Sequence, residues 1–563
     1  MFTTKQSKLF EVPSKNISVS GSSAGKGSVV PVFVQQGLHK AVACKSGNGS
    51  EKLSSTLDPF VDQFGTLGNF KAPRSFDVIQ KDCEILWASD KLNTVKFGLY
   101  IRTIPRKVVL FDGSSTEEPQ LGAELKHEAI MRMIWLSQKA PGTFWKNIGL
   151  FVSLGSWHDI FTMLQYDLIF NGWDGRKLDW NKFGNLIISG LSNSATSELV
   201  KKYLPHIRAK SVCTTVESQA NTLIGKWICS LIYGAKDSSA NYQQYRKLKS
   251  SGTAHQWQQL ISRQKYDQID FGKIHGRALH LLVKGKFLKN HGLQDKYDAW
   301  IAKPETAVKF TGFVHEIFHG ITTSIGSQAM TADKQFATLV EKARTERKEN
   351  ATNFIVVRDT SGSMGSAAKG TKSTCFDIAK SLALYFSEFL TGPFANSFIE
   401  FNDQAKMHLW KGNTPTEKFC NDRCNCVGST NFQGVIDLFC RLKREGMDEK
   451  DFPTGILCIS DGEFNPSQLG QTNVQTARRK LVNAGFSQVY AEAFQIVLWN
   501  LQSNAYGPST GSKFETTASE AGCCYMSGYS ASAVAFITGS EIKTARDVFD
   551  AAMDQSILNR VEL

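Results

Sequence analysis

The sequence contains no run approaching the ~18 uninterrupted apolar residues that a membrane-spanning helix needs, so no membrane partner is expected. Its first eight residues, Met1 to Lys8, offer no apolar core followed by a small-residue cleavage site, and a reducing cytoplasmic location is expected. The cysteines lack a disulfide or metal framework. Cys44, Cys83, Cys213, Cys229, Cys375, Cys440 and Cys458 are scattered, several in apolar runs, as small buried thiols are. Cys523 and Cys524 are adjacent, which by itself suits neither a disulfide nor a metal site. Cys420, Cys424 and Cys426 do cluster, but without a clear fourth ligand they read as reduced loop cysteines. No Gly-x-Ser-x-Gly elbow is present. The run Gly21-Ser-Ser-Ala-Gly-Lys-Gly27 fails as a phosphate loop: one spacer residue is missing, and glycine stands where Ser or Thr should meet Mg²⁺. The chain is therefore expected not to be an enzyme.

What is present is an ordinary globular composition, 41% hydrophobic and 21% charged, over 563 residues, enough for two to four domains. The net charge of +13 is unevenly placed. Between Lys201 and Lys296 there are 17 Lys and Arg against 5 Asp and Glu, a local net of +12. From Ala351 onward the count is 19 against 22, a net of −3. A basic stretch of that size is what a polyanion-binding surface requires.

Residues 1–56, rich in Ser, Gly and Lys with one apolar run at Val29–Val34, read as a flexible extension. Residues 57–345 carry helical periodicity. In Glu124–Ala140, Leu125, Ala129, Met133 and Leu136 recur at three- and four-residue spacing, Pro141-Gly142 breaks the pattern, and Phe144–Leu154 and Trp157–Phe170 repeat it. Helix pairs at this spacing suggest a repeat array that buries its core by stacking neighbours. Residues 346–563 change character. Apolar runs at Asn353–Val357, Asn396–Phe401, Thr454–Ser460, Phe494–Asn500 and Cys523–Met526 alternate with helical stretches at Ser373–Leu390 and Phe432–Lys443. That alternation implies an α/β, doubly wound, mostly parallel sheet, with ligands at the carboxyl ends of its strands.

Two of those strands end in oxygen-rich motifs. Asp359-Thr-Ser361-Gly-Ser363 follows the first run, Asp461 lies in Ser460-Asp-Gly462, and Thr430 lies in Gly428-Ser-Thr-Asn431 just before a helix. Hard cations such as Mg²⁺ take oxygen ligands and keep some waters; hydroxyls with few carboxylates leave the ion under-neutralised, able to accept one more oxygen. The three pieces, in this order and beside these elements, resemble the metal-ion-dependent adhesion site of von Willebrand A (vWA) domains. The resemblance implies a divalent cation, Mg²⁺ before others, held by Asp359, Ser361, Ser363, Thr430 and Asp461, and a protein partner that docks an acidic residue there.

With a basic helical array before such a domain, the chain resembles the TROVE–vWA family, the class of the Ro autoantigen, and within it a branch found in plants, bacteria and viruses. Trp87–Phe97, Gly155-Ser-Trp-His-Asp159, Tyr245–Leu248, Gln264–Asp270 and Thr311–Phe318 carry the resemblance, which spans roughly residues 57–560. It implies a ring of HEAT-like helical repeats beside a Rossmann-like vWA domain, and binding of structured or misfolded noncoding RNA. The implied phosphate contacts are Lys201, Lys202, Arg208, Lys210, Arg246, Lys247, Lys249, Arg263, Lys265, Lys273, Arg277, Lys284, Lys286 and Lys289. Tyr233, Tyr242, Tyr245, Trp257 and Tyr266, interleaved among them, could stack on unpaired bases, although single aromatics more often belong to cores. Two other readings stay open. One is a vWA assembly or adhesion protein, such as a virion component, without RNA binding. The other is a zinc metalloprotease through His315-Glu316-Ile-Phe-His319, which fits H-E-x-x-H but has no third histidine at the usual spacing.

Overall fold

A computed structural model of the chain describes residues 43–45, 51–53, 55–67, 73–234, 238–252, 256–310, 312–346, 353–368, 370–423, 426–462, 464–467, 471–501, 519, 521–529 and 544–563. The run Val29–Val34 and the glycine-rich stretch Gly21–Gly27 lie outside the described residues. Within the expected extension, β1 (Ala43–Lys45) and β2 (Glu51–Leu53) form an antiparallel pair, so this part of it is ordered.

The first half is helical. In order come α1 (Pro59–Phe64), α2 (Phe76–Ser89), α3 (Lys91–Arg102), α4 (Lys126–Lys139), α5 (Pro141–Leu154), α6 (Trp157–Asn171), α7 (Trp180–Ser192), α8 (Ser197–Tyr203), α9 (Val216–Tyr233), α10 (Ser239–Ser251), α11 (Gln256–Ser262), α12 (Gly276–Lys284), α13 (Phe287–Asn290), α14 (Gln294–Ile301), α15 (Val314–Phe318) and α16 (Ser327–Glu346). Several start at a clear local signal. Pro141 both ends one amphipathic run and opens α5 at its first turn, where a missing N–H costs nothing. Ser156 and Asp159 form a capping box that opens α6. Helices adjacent in sequence pack pairwise (α2 on α3, α3 on α4, α4 on α5, α7 on α8), while α9 returns to pack on α6 and α10 on α8.

The second half is a six-stranded sheet of β3 (Phe354–Asp359), β4 (Ser397–Phe401), β5 (Ala405–Leu409), β6 (Gly455–Ser460), β7 (Gln495–Asn500) and β8 (Cys523–Ser527), in the order β5-β4-β3-β6-β7-β8. All pairings are parallel except β4 with β5. Its helices are α17 (Cys375–Ser387), α18 (Pro415–Asn421), α19 (Phe432–Arg444), α20 (Asn473–Asn483), α21 (Gln488–Ala493) and α22 (Ala545–Met553). Strands buried on both faces must be apolar throughout. On one face Ile355, Val357, Ile456 and Cys458 pack with α19, α20 and α21; on the other Val356, Leu457 and Trp499 join α17, α22 and the core of the helical array. Among the described residues no helix is long and apolar enough to cross a membrane.

Both ends of the array pack on this C-terminal unit. α15 and α16 lie against α17 and α18, while α22 packs on α1 and α3. Phe549 of α22 is fully buried with its ring 5.2 Å from Phe60, 5.8 Å from Phe64 and 5.7 Å from Phe97. Burial of one such side chain contributes about 2–3 kcal/mol. Arg546 pairs with Asp58 at 2.7 Å, and Asn147 holds both the N–H and the carbonyl of Glu562 (3.1 and 2.6 Å). The last twenty residues thus pack both on β8 and on the start of the array.

Candidate functional site

The strand order reverses between β3 and β6, because the chain leaves β3 toward β4 on one side and later returns to β6 on the other. Such a switch point opens a crevice at the carboxyl ends of the two strands. Asp359 ends β3 and Asp461 follows β6, so both carboxylates meet there, each buried. Asp359 accepts the N–H of Ser361 at 2.8 Å and the hydroxyl of Ser460 at 2.5 Å. The hydroxyls of Ser361 and Ser363 lie 3.2 Å apart, the first buried and the second exposed.

Backbone hydrogen bonds stitch the second loop onto the first. Val427 donates to the Thr360 carbonyl at 3.0 Å, and Gly362 donates to the Gly428 carbonyl at 3.4 Å. Gly428 has φ +85°, and a Cβ there would stand 2.5 Å from the Asp403 carboxylate, so glycine is required. Asp403 in turn accepts the N–H and hydroxyl of Ser429 at 3.0 and 2.5 Å. Thr430 is held through its backbone by Asn465, whose side-chain oxygen accepts its N–H at 3.3 Å and whose own N–H donates to its carbonyl at 2.8 Å. The Thr430 hydroxyl is buried and has no hydrogen-bond partner among the described residues.

Burial, followed by the neighbouring charge of Asp461, pushes Asp359 up to about 7. Burial, with the charges of Asp461 and Asp359 adding, pushes the Cys375 thiol up to about 12. Two buried carboxylates that repel each other, two serine hydroxyls and an unpartnered threonine hydroxyl fit a hard cation in both donor chemistry and charge. Among the described residues no group of three His, Cys, Asp or Glu could hold a metal ion; this site contains only two residues of those types. Ser460, Asn465 and Asp403, which orient its loops, were not anticipated from the sequence. Ser460 alone stood inside one of the motifs.

The other metal motif is not assembled. α15 ends at Phe318, leaving His319 outside the helix with its Nδ1 3.3 Å from the Ser373 hydroxyl. His315 is buried, stacked 5.6 Å from Phe313 and edge-on to Tyr529, while Glu316 is ion-paired to Arg277 at 2.8 Å. Of the clustered thiols, Cys420 and Cys426 are half-buried and Cys424 lies outside the described residues.

The basic segment divides in two. Arg263, Lys265, Lys273, Lys286 and Lys289 are exposed and Lys284 half-buried, on or beside a separate small core built around Phe271, Leu288 and Tyr297. Lys273 pairs with Asp270, and Arg277 is taken by Glu316. Arg246 and Lys247 are exposed on α10, and the Lys210 side chain lies outside the described set. Among the aromatics, Tyr245 is core rather than stacking surface: fully buried, it donates to the Pro205 carbonyl at 2.9 Å. Tyr233, Tyr242, Trp257 and Tyr266 are half-buried.

Lys202 and Lys249 instead join basic residues from distant segments, while Lys201 is paired with Glu198 at 3.1 Å and Arg208 adds its charge beside His206. Lys249 donates to the Lys202 carbonyl at 3.1 Å, and Lys202 lies over the Tyr203 ring. That ring meets His158 edge-on at 5.8 Å, and His158 Nδ1 is 2.5 Å from Lys126 Nζ. Arg106 donates to the Gly155 carbonyl at 2.7 Å. The acid at the centre is Asp159, fully buried, 2.7 Å from Arg102 and 3.7 Å from Lys126. Burial first and then the cations around it lower the pKa of His158; burial, Lys249 and Arg208 do the same to His206. Burial also lowers Lys126, Arg106 and Lys249. Positive charge is thus gathered beyond what Asp159 neutralises, an arrangement that stabilises a bound anion. Charge counting does not reach Arg106 and Lys126, which sit in segments of ordinary composition, nor His158 and His206, which are not counted among Lys and Arg. No curated protein matches the chain. Residues 353–560, which build the sheet and carry Asp359, Thr430 and Asp461, match the family model described as a domain of unknown function, DUF7788.

Proposed function

We propose that this chain is a non-enzymatic RNA-binding protein of the TROVE–vWA type, located in the cytoplasm. The observation that carries the reading is the gathering of Arg106, Lys126 and His158 around the buried Asp159, with Lys249, Lys202 and His206 beside them. Phosphates are the anions that such a cluster, flanked by further exposed Lys and Arg, is suited to take. Packing of both ends of the helical array on the C-terminal unit supports a closed HEAT-like array. Strand order and paired acids at the switch point support a vWA domain.

In this reading Asp359, Ser361, Ser363, Thr430 and Asp461 hold Mg²⁺. When bound, the ion supplies an open coordination position for a carboxylate from an acidic protein partner. Ser460 and Asn465 orient the ligands, and burial removes competing water. The basic cluster holds RNA, while the metal loop recruits protein.

Sequencing of the RNA that copurifies with the full chain tests the reading. Structured noncoding RNA is expected with the native sequence and not with a Lys126→Glu/Lys249→Glu variant. Native protein carrying no RNA, with no affinity for it at low salt, overturns the reading.

A further inference from the structure

The metal loops are not held by the sheet alone. The loop that carries Thr430 follows α18 in the chain, and α18 is wedged between α16 of the array and α17, the helix that packs on β3. At its N-terminus the array grips it: Asp333 of α16 accepts both the N–H and the hydroxyl of Thr416, at 2.7 and 2.8 Å. In its middle, Phe419 stacks 4.6 Å from Phe318 of α15, with planes 10° apart. Its C-terminal end is tied to the residue beside the metal acid. Arg358, directly before Asp359, is fully buried between the rings of Phe376 and Phe398, and its guanidinium reaches Asp422 at 2.5 and 3.1 Å. Lys380 of α17, lying over the Phe419 ring, donates to the Asp422 carbonyl at 2.7 Å.

We propose that α18 is a lever that positions the Thr430 loop and couples the metal centre to helices α15 and α16 of the array. Asp333, Phe318, Arg358 and Asp422 are its positioning residues. A displacement of α15 and α16 relative to the sheet then carries Thr416 and Phe419 with it and passes through the Arg358–Asp422 pair to the end of β3, whose loop is stitched to Val427 and Gly428. Closely packed interiors move as discrete units rather than deforming continuously. By linkage, cation binding at the loops then stabilises the seating of α15 and α16, and loosening of those helices weakens the cation.

The inference rests on the metal-site reading and not on the RNA reading. Hydrogen–deuterium exchange of the full chain in EDTA and in millimolar Mg²⁺ tests it. Slowing is expected in peptides covering 359–366 and 427–431, and in 314–318 and 327–346, by about fivefold or more in the array. In Asp333→Ala, and independently in Phe419→Leu, the slowing in the array disappears while that in the metal loops persists. Protection confined to the metal loops of the native protein overturns the lever alone. Protection of the array that survives both substitutions overturns it as well. No protection anywhere overturns the metal reading and the lever together.

Discussion

The crevice at Asp359 and the basic cluster at Asp159 hold unbalanced charge in opposite ways, the first with two buried acids and the second with exposed and half-buried cations around a single buried acid. In the crevice two acids face each other, and Asp359 is forced up to about 7. In the cluster, cations crowd one acid, and His158 and His206 are forced down. Neither set balances itself. In the proposed reading a cation answers the first and a phosphate polyanion the second, and the two should respond to mutation and pH with opposite signs.

The largest effect expected is on stability. Asp159→Asn removes the buried acid that holds Arg102 and Lys126, and should destabilise the protein by about 3–5 kcal/mol in thermal or urea unfolding. Asp359→Asn, measured in EDTA, should move stability the other way, because it removes one of two repelling carboxylates, and should abolish the response to Mg²⁺. If both substitutions shift the melting temperature in the same direction, the contrast between the sites fails.

Binding comes next. Lys126→Glu with Lys249→Glu should weaken RNA affinity by about a hundredfold, the scale of two lost charge-assisted contacts, while leaving Mg²⁺ affinity unchanged.

pH dependence should then separate the sites. Asp359 has a folded pKa of about 7, above its ordinary 3.8, so the metal-free fold loses stability as pH rises from the lower value to the higher. A cation favours the ionised form. The thermal shift produced by Mg²⁺ should therefore grow with pH across that window. His158 and His206 titrate below the ordinary imidazole value, so the free protein loses stability as pH falls through the acid side of ~6.5. Bound phosphate favours the imidazolium, and RNA affinity should rise as pH falls, by at most about tenfold per unit for each coupled proton. Parallel pH profiles for Mg²⁺ and RNA would erase the distinction.

The smallest effect expected is at Thr430. Its hydroxyl has no partner among the described residues, so Thr430→Val should leave metal-free stability unchanged or raised. Calorimetry should show Mg²⁺ affinity reduced by about tenfold, the worth of one polar contact.

The same comparison shows what could be read from the sequence and why. Each piece of the metal site is contiguous: Asp359 to Ser363 on one loop, Thr430 before a helix, Asp461 after a strand. The strands beneath announce themselves as apolar runs, because both faces of a parallel sheet are buried. β5 gave no such signal: an antiparallel edge strand with Leu409 63% exposed, it needs no apolar face. The basic cluster was only half legible. Lys202 and Lys249 stand out by local charge, but Lys126 and His158 enter through helix packing that composition does not encode. Tyr245 shared the spacing of stacking candidates and is core. H-E-x-x-H matched as text, but the helix it needs stops at Phe318, before the second histidine. The return of Phe549 to Phe60 joins chain segments too far apart for any periodicity to report.

The central claim, that the cluster around Asp159 binds RNA phosphates, is tested most directly by a salt titration. The affinity of the full chain for a labelled RNA hairpin with a single-stranded tail is measured by anisotropy over a range of KCl concentrations. The account predicts affinity that falls steeply with salt, and a log–log slope shallower by about 2 in the Lys126→Glu/Lys249→Glu variant, for the two phosphate contacts removed. No binding at low salt, or the same slope in both proteins, would contradict it.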